Sequence, residues 1–137
     1  MNKQKMKSGY EHKDWHISPD FRKRLGVKGE DIACTYLENQ GIKVIDRNVR
    51  YKPGELDIVA IDKNRLCFIE VKTRKSYKYG RPSLSITAAK QSTIRALAQL
   101  YLKTHLKYKS YIPRIDVIEI VITDENKAFI NYIKSAF

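Results

Sequence analysis

Apolar positions recur along this chain with two distinct periods. Over residues 21–40, Leu25, Gly29, Ile32, Ala33, Tyr36 and Leu37 form a stripe at helical spacing, and Gly41 supplies the stop. Gly26 and Gly29 near its beginning either loosen the first turn into a loop or let backbones pack closely. Three short strands are predicted next, over 42–50, 55–62 and 66–74, with turns at Lys52-Pro53-Gly54 and Lys63-Asn64. They read as an antiparallel meander. Residues 85–106 then predict a helix with Thr87 as its N-cap and Ile94, Leu97, Ala98 and Tyr101 as its buried stripe. The strand predicted over 114–123 is apolar on both faces, with Ile115, Val117 and Val121 on one and Ile118, Ile120 and Ile122 on the other. Such a strand belongs in the middle of a sheet, and the strand-helix-strand passage predicts a right-handed parallel crossover. A last strand over 129–133 is expected to hairpin back at an edge.

The order αβββαβ(β) predicts an α/β fold, a mixed sheet flanked by helices, with no internal repeat and no interdomain linker. Residues 1–18 are Lys-rich and aperiodic, and read as a disordered tail ahead of one domain over 19–137. His12 and His16 stand at i,i+4 spacing within it, but without helix-forming context.

Charge narrows the partner. The sequence holds 27 Lys+Arg against 15 Asp+Glu, a formal +12, and a domain this basic usually meets a polyanion, most often nucleic acid. The cations are scattered rather than confined to one helical face, which argues against a membrane-surface binder. No apolar run approaches the ~20 residues of a membrane span, and the first residues carry no apolar signal stretch, so a cytoplasmic protein is expected. The two cysteines, Cys34 and Cys67, are far apart and lack neighbours at ligand spacing, so both are expected to be free and structural.

The chemistry concentrates at one end of the second hairpin. A tight turn at Lys63-Asn64 pairs positions whose numbers sum to 127, which sets Asp57 across from Glu70 and Glu55 across from Lys72. Facing like charges destabilise a sheet, so a cation is expected between the two acids. A cross-strand salt-bridge ladder would account for Glu55 and Lys72, but it would also keep Asp57 and Glu70 apart. Mg²⁺, which takes one or two carboxylates plus waters and phosphate oxygens, suits Asp57 and Glu70, with the Val71 carbonyl as a further ligand. Such an ion would stabilise the charge of a phosphodiester transition state. Lys72, on the same face as Glu70, would position or deprotonate the attacking water. Glu30, at the border of the first helix's apolar stripe, could reach the ion directly or through a water, or be an ordinary helix-start glutamate.

Asp57 followed by Glu70-Val71-Lys72 after a short hairpin resembles the PD-(D/E)xK nuclease signature on a restriction-endonuclease-like αβββαβ core. More narrowly, GVKGEDIA, YKPGELDIVAID, FIEVKTR, TAAKQSTI and RIDVIEI resemble the YraN-like family of small, uncharacterised bacterial proteins, itself similar to archaeal-type Holliday junction resolvases. The resemblance covers roughly residues 25–137. It implies metal-ligand roles for Asp57 and Glu70, the catalytic lysine role for Lys72, an acid from the first helix at Glu30 and a polar site residue at Gln91. Leu56 stands where the superfamily's name places proline. The implied cofactor is Mg²⁺, with Mn²⁺ as substitute, and the implied partner is DNA, branched or damaged. Junctions have paired scissile sites, so a homodimer is implied as well.

The loop RKSYKYGR, over 74–81, rims this pocket in sequence. Arg74, Lys75, Lys78 and Arg81 would neutralise phosphates, and Tyr77 and Tyr79 would stack on unpaired or distorted bases. Lys103, Lys107 and Lys109 with Tyr108 and Tyr111 form a second basic-aromatic group. No base-reading motif appears, so recognition by backbone and shape is expected. Two other function classes stay open: a non-catalytic DNA-binding or scaffolding module retaining the fold, and an RNA-binding or ribosome-linked factor using the same basic surface.

Overall fold

The computed structural model describes residues 12–16, 29–74, 86–123 and 127–137. They form a mixed α/β fold in which one six-stranded sheet carries a helix on each face. The elements are β1 (His12–His16), α1 (Gly29–Asn39), β2 (Lys43–Tyr51), β3 (Gly54–Asp62), β4 (Arg65–Arg74), α2 (Ala88–Thr104), β5 (Ile112–Ile122) and β6 (Lys127–Ile133). The strand order across the sheet is β1-β6-β5-β4-β3-β2.

Local signals account for most of these boundaries. Helix α1 ends where Gly41 takes φ 81°, so that Ile42 N–H reaches the Leu37 carbonyl at 3.0 Å and Gly41 N–H the Glu38 carbonyl at 3.0 Å. This is a Schellman stop, and the apolar contact that accompanies it joins Ile42 to Leu37 in one buried cluster. Helix α2 begins where the Thr87 hydroxyl accepts the Lys90 amide at 3.1 Å. Its expected stripe of Ile94, Leu97, Ala98 and Tyr101 is buried.

Strands alternate their side chains between the faces. Ile58, Ala60, Cys67, Ile69, Ile118 and Ile120 pack under α1, whereas Val59, Leu66, Phe68 and Ile115 pack under α2. Strand β5 runs parallel to β4 through the α2 crossover, with Phe68 beside Ile115 and Lys72 beside Glu119. Below α1, the Arg114 guanidinium, 8% exposed, bonds Asp116 at 2.9 Å and Asp62 at 3.0 Å. The fully buried Asp116 also accepts the Tyr132 hydroxyl at 2.7 Å and the Ser135 amide at 2.9 Å. Cys34 and Cys67 are both free and buried, and burial pushes the Cys67 thiol up to about 12.

Three expectations are corrected. Within the segment read as a structureless tail, His12–His16 form a strand that pairs antiparallel with β6, from His12 beside Asn131 to His16 beside Lys127. That pairing depends on an edge offered by β6, which no local pattern could reveal. For the same reason β6 is not an edge strand: it lies between β1 and β5. The third concerns register. The ladder between β3 and β4 follows the expected sum from Asp62↔Arg65 to Ile58↔Ile69, and Asp57 and Glu55 lie beyond its last pair. Glu55 instead faces Arg50 on β2, 3.6 Å away.

No helix among the described residues is long and apolar enough to cross a membrane.

Candidate functional site

Where the β3–β4 ladder ends, the backbone of the strand on the other side of β3 is irregular as well. Asn48, between the β2–β3 pairs Arg47↔Ile58 and Val49↔Leu56, adopts a left-handed φ of 52°. Asparagine tolerates this conformation better than most residues. At the same level β3 breaks its alternation: Leu56 joins Val59 in the cluster under α2, although Ile58 lies under α1. Asp57 stands at this kink. Its carboxylate Oδ2 accepts the Val71 backbone N–H at 2.9 Å, replacing the ladder bond that β3 no longer provides. Leu56, next to Asp57, is 3% exposed and serves the core.

A second close approach brings in α1. A Cβ at Gly29 would overlap the Thr73 hydroxyl, so the first residue of α1 lies directly on the outer end of β4. Glu30 therefore enters the field of Asp57. Burial is the largest influence on the Asp57 carboxyl and pushes it up to about 7. The Val71 amide pulls the other way, the Glu70 and Glu30 carboxylates push it further up, and Lys90 pulls it back. Asp57 thus lies in the field of both Glu70 and Glu30.

Lys90, which the sequence pattern did not single out, reaches the same group. Its Nζ lies 3.4 Å from Glu70 Oε2, with the Glu70 side chain 14% exposed and that of Lys90 46%. The signal was present: Lys90 stands four residues before Ile94 and extends the buried stripe of α2 toward the sheet. Gln91, its neighbour, donates its side-chain amide to the Ile86 carbonyl at 2.9 Å, fastening the entry to α2.

Lys72 has a different acid beside it from the one expected. Its strand neighbour is Glu119 on β5. Glu119 is fully buried, and among the described residues neither of its carboxylate oxygens has a hydrogen-bond partner. Burial raises its pKa, opposed first by Lys72 and then by Arg74, whose Nη1 lies 3.9 Å from Glu119 Oε2. An acid interrupting an apolar central strand is costly to bury, and this made Glu119 detectable in the sequence.

Lys75, Tyr77, Lys78, Tyr79 and Arg81 lie outside the described residues. The second basic-aromatic group is not part of this site. Lys107 sits over the Tyr108 ring, which packs edge-on against Tyr111, and the chain then enters β5 beside Arg65. Five strand residues, about 17 Å, separate Arg65 from Glu70.

Among the described residues no three His, Cys, Asp or Glu side chains converge as a metal-holding group. What the site offers is two carboxylates, Asp57 and Glu70, with the Val71 backbone between β4 and the kink. That donor set is too small for zinc or calcium but sufficient for a hard ion that retains most of its water. A half-buried carboxyl held up near 7 is also one whose ionised form gains from a nearby cation.

Fold and site define a small, basic α/β protein with an acid-lysine constellation at the end of its central strands. The chain belongs to the uncharacterised protein family UPF0102, whose family model matches residues 29–120. It is 45% identical to a UPF0102 protein of Clostridium botulinum (strain Loch Maree / Type A3) over 116 residues, covering 84% of this chain and 94% of the relative. It is 39% identical to the UPF0102 protein TTE1452 of Caldanaerobacter subterraneus subsp. tengcongensis over 118 residues, covering 85% and 96%. The matched segment contains Glu30, Asp57, Glu70, Lys72, Lys90 and Glu119.

Proposed function

We propose that this protein is a divalent-metal-dependent endonuclease-like protein acting on DNA, built on a restriction-endonuclease-like core with a PD-(D/E)xK site. The observation that carries this reading is the Asp57 carboxyl. It is pinned to the Val71 amide, raised to about 7, and surrounded by the charges of Glu70 and Glu30. Perturbed carboxyls at the mouth of a sheet are where cation-assisted chemistry is expected. Asp57, Glu70 and the Val71 carbonyl would hold Mg²⁺, or Mn²⁺ in its place. When bound, the ion supplies Lewis-acid stabilisation of the charge gathering on a phosphodiester. Lys72 holds the attacking water toward that phosphorus, and Glu30 orders water on the side of α1. Lys90 turns from Glu70 to a phosphate oxygen when DNA arrives. The formal charge of +12 draws the polyanion in, and backbone contacts at Arg74 and the following loop hold it without reading bases. Branched or damaged DNA is the substrate class this suits, and a homodimer would present two such sites to a junction.

The test is cleavage of flaps, junctions and single strands in Mg²⁺ and Mn²⁺, with a Lys72→Ala protein prepared in parallel. Loss of at least about a hundredfold in the variant is expected if Lys72 serves the attacking water. Equal rates in the two preparations remove the catalytic claim.

The Glu70–Lys90 pair favours a second reading, a DNA-binding or scaffolding module in which a lysine has replaced the ion. Tight DNA binding with no cleavage, and no Mn²⁺ bound near Asp57, would select it. Strong preference for RNA over matched DNA would instead select an RNA-binding or ribosome-linked role.

A further inference from the structure

The fully buried Glu119 has no role in the scheme above, yet its position is costly. A carboxylate removed from water and lacking hydrogen bonds is stable only beside a cation or in its neutral form. Glu119 stands directly beside Lys72 on the parallel neighbour of β4, so both side chains leave the same face about 4.8 Å apart at the backbone. Its other neighbour is Asn131 on β6, 5% exposed, whose Oδ1 also lacks a partner among the described residues. Three adjacent strands therefore place a lysine, an acid and an amide in one row that ends at the rim of the candidate site.

We infer that Glu119 is the positioning residue for Lys72, its buried carboxylate anchoring the ammonium so that the lysine is presented to the Asp57–Glu70 rim. This rests on the nuclease reading only for what Lys72 then does. The anchoring itself is a property of the sheet. Burial acting on Glu119 is opposed most strongly by Lys72, in keeping with that pairing. Arg74 is the competing anchor. Its Nη1 lies 3.9 Å from Glu119 Oε2, so it shares the same buried charge from the rim of the sheet, while Lys72 is the cation that stands beside Glu119 in strand register.

A double-mutant cycle separates these roles. The native chain, Glu119→Gln, Lys72→Ala and the double variant are compared by junction-DNA cleavage in Mg²⁺ and by denaturant unfolding. Glu119→Gln, which keeps the shape, is expected to lower kcat about tenfold or more with KM little changed, and to cause no further loss in the Lys72→Ala background. Glu119→Asp, keeping the charge on a shorter stem, should recover part of the rate and keeps the cycle readable if the glutamine variant does not fold. Equal fractional losses in both backgrounds overturn the inference, as does coupling of Glu119 to Arg74→Ala but not to Lys72→Ala. If the native chain does not cleave at all, the nuclease reading fails and the unfolding cycle decides alone: non-additive stabilities support the anchor, and additive ones remove it.

Discussion

The Asp57 carboxylate accepts the Val71 backbone amide at 2.9 Å, and so takes the place of a strand carbonyl at the point where β3 leaves β4. A side chain used in this way is fixed in direction. It is also partly withdrawn from water, which is why its carboxyl rises from 3.8 to about 7.

A pH dependence follows from that rise. The folded chain holds the Asp57 proton more tightly than the unfolded chain, so the stabilisation is complete below about pH 4 and disappears as pH rises through 7. Native stability should therefore fall between pH 5 and pH 8, by on the order of 1 kcal/mol from this group after solvent screening. Asp57→Asn should flatten that slope. Denaturant midpoints at the two pH values measure it, and an unchanged slope in the variant would show that Asp57 is not the group responsible.

Lys90 competes with any cation for Glu70. Lys90→Ala should leave thermal stability within about 1 kcal/mol, because the lysine is substantially exposed. Removing a positive charge next to the two carboxylates should tighten Mn²⁺ binding several-fold, up to about tenfold. Titration calorimetry of the two proteins reads this directly. Weaker Mn²⁺ binding in the variant would place the ion elsewhere.

Gly29 is needed for proximity rather than for flexibility. Gly29 is the first residue of α1, where little helix propensity is at stake, and the methyl of Gly29→Ala would collide with the Thr73 hydroxyl. A net loss of roughly 1–3 kcal/mol is expected from overpacking. Adding Thr73→Ala should recover most of it. Stability of the single and double variants by thermal unfolding checks the contact, and additive effects would refute it.

The ion cluster under α1 is structural. Replacing Asp116 by Ala leaves the Arg114 guanidinium buried and short of its closest partner, a change that typically costs about 3–5 kcal/mol. Circular dichroism on heating should show a strongly lowered unfolding midpoint. A small shift would mean that Asp62 alone satisfies Arg114.

How much of this was legible depends on how local each signal was. Gly41, Thr87 and the stripe from Ile94 to Tyr101 act through neighbours a few residues away, and the structure uses each as the pattern implies. The pairing of Ile58 with Ile69 follows from a two-residue turn. Beyond it the β3–β4 ladder stops, beside a left-handed residue, Asn48, on the neighbouring strand, and no count from the turn could detect that. Lys72 was likewise matched to Glu55 by hairpin arithmetic, whereas its acid neighbour arrives from β5, 47 positions later, across a parallel crossover. The nearness of Asp57 to Glu70 was accessible because one short hairpin carries both, whereas Glu30 arrives from α1 through the contact of Gly29 with Thr73.

Strand β1 has a practical consequence. The family model begins at residue 29, so a recombinant version trimmed to that boundary would lack His12–His16. It would leave β6, seven residues long, with bare amides and carbonyls along one margin. Two trimmed copies could satisfy each other there. Self-association or precipitation of such a fragment would then report borrowed edge pairing, and the longer polypeptide is the proper material for asking how many copies assemble.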